Sequence, residues 1–423
     1  MKKLSFVFLS LLFIANAFGQ DINYARKTID KLCSPKYNGR GYVNGGDAKA
    51  SVFIYKELKK LKGFTVQYQP FAIAVNTFPN KMEVTANGKE LEAGTDYIVA
   101  PECPTAKGKH KLLWVNYNVL QSQHTYDSFV LANKNTTPVF VVLDTLPQLS
   151  KEERERLKDL QSGKQSFVAG LAQLTNGKLT WSVGSVQDAI PQLTIKADKF
   201  PRTAQEIEIK IDAVFIERYK TQNVIGFIKG TKQPDSIIAL TAHYDHLGRM
   251  GKKTYFPGAN DNASGTAMLL DMAKHYSKNP PEYSILFIAF AAEEAGLIGS
   301  NYYVNADPIY PLDKMKFLIN MDLMATGEKG IMAVNGLVFE EEYKTLLKIN
   351  DDKKYLSTVQ ARGKAANSDH YWFAEKGVHC FFFYLMGDFP SYHDPGDKAE
   401  IVPLTKYEET FRLINDFINH LQQ

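Results

Sequence analysis

Thiols are scarce in this chain: Cys33, Cys103 and Cys380 are its only cysteines. Three cysteines so far apart close at most one disulfide and are not spaced like a thiolate metal site, which excludes a disulfide-stapled scaffold and a zinc finger. Cys380, inside HCFFFYL, reads as a buried free thiol. A strong charge of either sign is also missing. Fifty Lys and Arg against 46 Asp and Glu leave +4, too small and too dispersed to argue for nucleic acid or an anionic membrane as partner. KELKKLKG and KEERERLKDL read as solvated helix faces. After the first 20 residues no apolar run is long enough to cross a bilayer. Tandem repeats and low-complexity tracts are absent.

What is there begins with MKKLSFVFLSLLFIANAFGQ. Lys2 and Lys3, an apolar run of roughly a dozen residues and small residues near Ala17 and Gly19 form the secretory signal pattern. Residues 1–19 are therefore set apart from the fold. The expectation is an exported protein, periplasmic or secreted, with no membrane partner once the signal is removed. With 423 residues, 44% hydrophobic and 23% charged, the rest has the composition of an ordinary globular protein, in two domains or in one with a large insertion.

Two textures divide it. From 220 to 423, IIALTA, ILFIAFAA, KFLINM and CFFFYL alternate with SGTAMLLDMAKHYSK, FEEEYKTLLKIN and YEETFRLINDFINHL. Short apolar runs alternating with helical patterns predict an α/β fold: a doubly wound, mostly parallel (mixed) sheet flanked by helices. Residues 20–80 supply two helices, over DINYARKTIDKL and DAKASVFIYKELKKL, around a glycine-rich NGRGYVNGG turn, and are expected to pack on the same core. Residues 81–219 hold short strand-like pieces, one charged helix and many turn residues, and read as a mostly β insertion.

The chemistry lies at the predicted strand ends. ILFIAFAA runs into Glu293 and Glu294 with no basic neighbour, an arrangement that needs a cation or a hydrogen-bond network to compensate it. IIALTA ends in His243-Tyr244-Asp245-His246, and KFLINM in Asp322. Ligands of open α/β sheets bind at such carboxyl ends. Asp261 follows in the glycine-bounded loop FPGANDNASG, and His393 sits in SYHDPGD. His243, Asp261, Glu294, Asp322 and His393 form an oxygen and nitrogen donor set without sulfur, suited to zinc and large enough for two ions sharing a bridge. Glu293, pointing elsewhere, stays free to act as a base. Asp245, two residues beyond His243 on an extended chain, is placed to accept the imidazole N–H.

HYDHLG, PGANDNASG, AAEEAGLIGS, NMDLM, the SDH of Ser368 to His370 and YHDPGD, in this order, resemble the motif series of the co-catalytic dinuclear zinc aminopeptidases, a family that includes bacterial leucyl aminopeptidases and glutamate carboxypeptidase. The resemblance is close from 222 to 420 and looser over SPKYNGRGYVNGGDAKA. It implies two zinc ions per chain: one on His243 and Asp322, one on Glu294 and His393, with Asp261 bridging. It implies Glu293 as general base toward a water between the ions, a cis peptide at Asp261-Asn262, and peptides cleaved at the N-terminal residue. The insertion resembles, weakly, a protease-associated domain. Carboxypeptidase or dipeptidase action, glutaminyl cyclase chemistry on a single zinc, and a non-catalytic receptor-like binding protein remain the alternatives. Residue preference and oligomeric state are left open.

Overall fold

Helices open the fold because their caps and apolar stripes agree. The computed structural model describes residues 21–423, so the expected signal segment lies outside the described residues. In α1 (Ile22–Cys33) the Asp21 side chain accepts the Tyr24 N–H, and Ala25, Ile29 and Leu32 face inward at helical spacing. In α2 (Gly46–Lys59) the buried stripe is Ala50, Ile54 and Leu58. β1 (Phe64–Thr77) follows.

From the end of β1 the chain enters a second sheet. Its strands are β2 (Met82–Ala86), β3 (Lys89–Leu91), β4 (Tyr97–Val99), β5 (Ala106–Val115), β6 (Val139–Leu143), β7 (Val168–Thr175), β8 (Gln192–Lys196) and β9 (Glu206–Ile211). They are ordered β3-β2-β9-β5-β6-β7-β8-β4, and three helices accompany them: α3 (Asn118–Gln121), α4 (Gln123–Asn133) and α5 (Lys151–Gln161). This sheet has a core of its own, with Val84, Phe140, Ile195 and Ile209 fully buried. The chain returns in β10 (Val214–Ile228), antiparallel to β1 with Val214 opposite Thr77. Residues 214–219, which by texture resemble the insertion, are thus the first part of β10; their alternation comes from the ladder with β1.

The first sheet continues with β11 (Gln233–His243), a hairpin of β12 (Gly248–Met250) and β13 (Thr254–Phe256) that stands outside it, then α6 (Gly265–Lys278), β14 (Tyr283–Phe290), α7 (Ile298–Asn305), β15 (Met315–Met321), β16 (Ile331–Val334), α8 (Glu340–Lys353), β17 (Val359–Arg362), α9 (His370–Glu375), β18 (Cys380–Leu385) and α10 (Tyr407–Leu421). Its order is β1-β10-β14-β11-β15-β18-β16-β17. β14, β11, β15 and β18 are mutually parallel, β16 and β17 are parallel to each other, and the pairs β1–β10, β10–β14 and β16–β18 are antiparallel. This is the mixed, doubly wound α/β sheet that the alternating texture predicts.

Both faces are covered, which is why β14 reads as an unbroken apolar run. Ile285 and Phe287 face the large core that includes α1, α2, α6 and α10, while Leu286, Ile288 and Phe290 face the core under α7 and α9. Each such side chain, removed from water, contributes about 1.5–3 kcal/mol. β11 has β14 on one side and β15 on the other, so the chain direction across the sheet reverses there. The crevice above that reversal is where an open α/β sheet binds ligands.

Candidate metal centre and its cleft

His243 is the last residue of β11, and Asp322 follows β15 directly. His243 Nε2 stands 3.3 Å from Asp322 Oδ2 and 3.4 Å from Asp261 Oδ1. On the other side of Asp261, His393 Nε2 lies 3.0 Å from Asp261 Oδ2 and 3.2 Å from Glu294 Oε2. Two donor atoms on one tetrahedral zinc, each about 2.0–2.1 Å from it, stand about 3.3 Å apart. The five side chains therefore form two groups at the donor spacing of a divalent-metal centre, with one Asp261 oxygen in each. The ligating atoms of His243, Glu293 and Asp322 also lie within 4.8 Å of one another, which sets Glu293 beside the first group.

Backbone placement explains the convergence. The loop over Ala259–Ser264 is anchored by Asp397, whose carboxylate accepts the Asn260 N–H at 2.8 Å and the Asp261 N–H at 3.0 Å. Arg40, fully buried, donates to the carbonyls of Tyr244, Pro257, Gly258 and Asp261 at 2.8, 2.6, 2.7 and 3.1 Å. Gly258 has φ +62°, and a Cβ there would stand 2.2 Å from the Asp261 oxygen and 2.4 Å from the His246 ring, so only glycine fits this close approach. The Asp261-Asn262 peptide is cis.

The imidazoles are oriented by main-chain acceptors. His243 Nδ1 donates to the Asp245 carbonyl at 3.2 Å, and His393 Nδ1 to the Trp181 carbonyl at 2.8 Å. Both bonds turn Nε2 toward the carboxylates. Here the structure differs from the sequence expectation for Asp245. Its carboxylate is 3.9 Å from His243 Nδ1, beyond hydrogen-bond reach. Instead it accepts the Tyr42 hydroxyl at 2.8 Å and the N–H groups of Glu293 and Glu294 at 3.2 and 3.3 Å. Asp245 thus orients the two glutamates. Burial, with Glu294 nearby, raises it to about 6 against the pull of His243.

The adjacent glutamates are driven in opposite directions. Burial pushes Glu293 well above the ordinary carboxylate range, Asp369, Glu294 and Asp322 add to the rise, and His243 only partly opposes it. Burial and Asp261 also push Glu294 up, yet His393 and His246 outweigh them and hold it at about 2. Neighbouring carboxylates pushed apart in this way are suited to different tasks.

Several contributing residues are not singled out by sequence reasoning. His246 Nδ1 lies 2.7 Å from Glu294 Oε1, so Glu294 presents its other oxygen to His393; the spacing in HYDH is the signal that could have found it. Asp369 is fully buried with no hydrogen-bond donor to either oxygen, as is Asp322 Oδ1. Arg40, Tyr42 and Asp397 carry no pattern linking them to the site beyond their place in glycine-rich motifs. The three cysteines are buried and unpaired.

A cleft of about 420 Å³ opens over the centre, walled by Leu297, Leu323, Phe382, Tyr384 and Tyr392, with Ser182 lining it from the connection between β7 and β8. That volume suits a small ligand or a few residues of peptide. Among the described residues no helix is long and apolar enough to cross a membrane.

Comparison with known proteins gives the family and the fold. The profile of peptidase family M28 matches residues 223–418. Aminopeptidase YwaD of Bacillus subtilis (strain 168) is 31% identical over 414 residues, covering 92% of this chain and 83% of that protein. A probable leucine aminopeptidase 2 of Aspergillus oryzae is 28% identical, over 71% of this chain and 58% of its own. The solved zinc aminopeptidase BSAP from Bacillus subtilis shares the fold with a TM-score of 0.71 at 21% identity, covering 94% of both chains, and the aminopeptidase from Aneurinibacillus sp. strain AM-1 does so at 0.64 and 20%, covering 94% of this chain and 93% of that one. With a relative so similar over nearly its whole length, the chain belongs to peptidase family M28 and is a metallopeptidase.

Proposed function

We propose that this protein is an exported aminopeptidase that works with two zinc ions and uses Glu293 as general base. The observation that carries the reading is the bracketing of Asp261 between two histidines, one oxygen to each, with Asp322 and Glu294 completing the two donor groups. His243, Asp261 and Asp322 would hold one ion, and Asp261, Glu294 and His393 the other. Bound zinc lowers the pKa of a coordinated water and polarises the scissile carbonyl.

The chain's own groups do the rest. Glu293, half-buried on the cleft wall and raised by burial and its acidic neighbours, takes the proton of the attacking water and returns it to the leaving amine. The Asp245 carboxylate holds the Glu293 and Glu294 N–H groups, fixing which glutamate faces the ligand cluster. His246 steadies Glu294 through Oε1. The crowd of carboxylates receives a free α-ammonium group, which restricts cleavage to the N-terminal residue. The signal pattern over 1–19 supports a periplasmic or secreted location. Residues 82–211 form a separate accessory unit in this reading, similar to a protease-associated domain.

The test is elemental analysis of the purified mature protein, with amino-acid release from a mixed peptide pool followed in the same sample. About two zincs per chain with stepwise N-terminal trimming is expected. One zinc with pyroglutamate formation, or no metal and no turnover, would overturn the proposal.

A further inference from the structure

The cleft is electrically lopsided. One end carries Asp261, Glu293, Glu294 and Asp322; at the other stands Arg362, the only lysine or arginine among the described residues that line it. Arg362 ends β17 and is exposed. Its Nη1 donates to the Tyr384 hydroxyl at 3.4 Å, and no carboxylate among the described residues pairs with it. The next cation along the chain, Lys364, is by contrast taken up by Glu375. A guanidinium held by a neutral phenol and turned to a cleft keeps its bidentate donors for an incoming anion.

The sheet register gives the span. Arg362 lies abreast of Val334, Phe382 and Asn320 in successive strands. Three strand spacings, about 14 Å laterally, therefore separate it from the strand that delivers Asp322. The Arg362 side chain leans along that line, since it reaches the hydroxyl of Tyr384 in β18, two strands over, and so covers nearly half of the distance. What is left matches about two residues of extended peptide, at about 3.3–3.6 Å each.

We infer that Arg362 selects substrates bearing a carboxylate about two residues' length from the reacting amine end: the side chain of an acidic N-terminal residue or the C-terminal carboxylate of a dipeptide. This rests on the aminopeptidase reading above. The ammonium end of such a substrate meets the acidic wall and its carboxylate meets Arg362, so both poles of the cleft are matched.

The experiment measures kcat and KM for wild type, Arg362→Ala and Arg362→Lys on two matched pairs. Leu-Leu against Leu-Leu-amide reads the C-terminal carboxylate, and Glu-Leu-amide against Gln-Leu-amide reads the acidic side chain. In at least one pair the wild type should favour the charged member by about ten- to a hundredfold, mainly in KM. Arg362→Ala should bring that ratio close to one, and Arg362→Lys should keep part of it, with unchanged thermal unfolding. Ratios near one in the wild type, or a preference that survives Arg362→Ala, would overturn the inference while leaving the peptidase reading intact. No release from any of the four would overturn both.

Discussion

The two histidines of the centre are built differently. His243 ends a buried strand, and its Nδ1 bonds a carbonyl two residues away, while its own carbonyl accepts the Thr266 hydroxyl of α6 at 2.9 Å. Everything that holds it belongs to the first sheet and its helices. His393 sits in a loop at φ 54°, and its partner is Trp181, 212 positions earlier in the chain. Trp181 also donates its N–H to the His393 carbonyl at 2.9 Å, so one residue of the second sheet's segment clasps His393 from both ends. The Trp181 indole is in turn fixed, stacking on Phe256 at 4.8 Å and donating to the Val99 carbonyl at 2.9 Å. One half of the centre is therefore a product of the core sheet, and the other half depends on the segment inserted into it.

The largest effect should come from a change that leaves both halves standing. Glu293→Gln keeps size and burial but removes the carboxylate proposed as base, and kcat should fall by about a hundred- to ten-thousandfold while zinc content stays near that of the wild type. Elemental analysis beside the rate distinguishes the two roles of the glutamate pair. Metal lost together with activity would assign Glu293 to ligation.

A smaller effect separates the halves. Trp181→Ala removes a buried side chain, worth about 3–5 kcal/mol of stability, and loosens the carbonyl that orients His393. Metal affinity on that side should weaken by about ten- to a hundredfold, with the His243 side nearly unchanged. Titration with a chelator would then release zinc in two well-separated steps where the wild type gives closer ones. Equal weakening at both sides would mean that the second sheet supports the centre as a whole.

The same contrast governs what could be read from the sequence. His243, Glu293, Glu294 and Asp322 stand at the ends of apolar runs whose periodicity marks them as strands, so their meeting at one sheet edge follows from fold class alone. His393 lies in no such run, and only the motif YHDPGD points to it. The Trp181 clasp was not legible, since a main-chain carbonyl bonds a side chain irrespective of its own residue type and leaves no pattern. His246 was within reach through the spacing in HYDH, but three positions from His243 a strand period puts it on the opposite face. Arg40 was hidden for a different reason: an arginine buried among carbonyls looks, in sequence, like an ordinary turn residue between glycines.

The last way to sharpen the comparison uses protons. Burial alone would push the His393 imidazole down, but Glu294 and Asp261 beside it hold it up to about 11 when no cation is present; in His243 burial is likewise outweighed by Asp322 and Glu293. Metal-free protein at neutral pH therefore carries a proton on each ring, whereas a zinc ligand must be a neutral imidazole. Loading should release about two protons per chain at pH 7. The sign follows: the metal-free form binds more protons, so metal affinity rises with pH. An indicator dye in weak buffer reads the release, and affinities measured from pH 6 to 8 read the slope. If Trp181→Ala disturbs only the His393 side, one of the two protons should shift its pH dependence while the other keeps that of the wild type. Proton-free loading with pH-independent affinity would mean that the histidines are already neutral in the metal-free protein, and that the carboxylates around them share the protons instead.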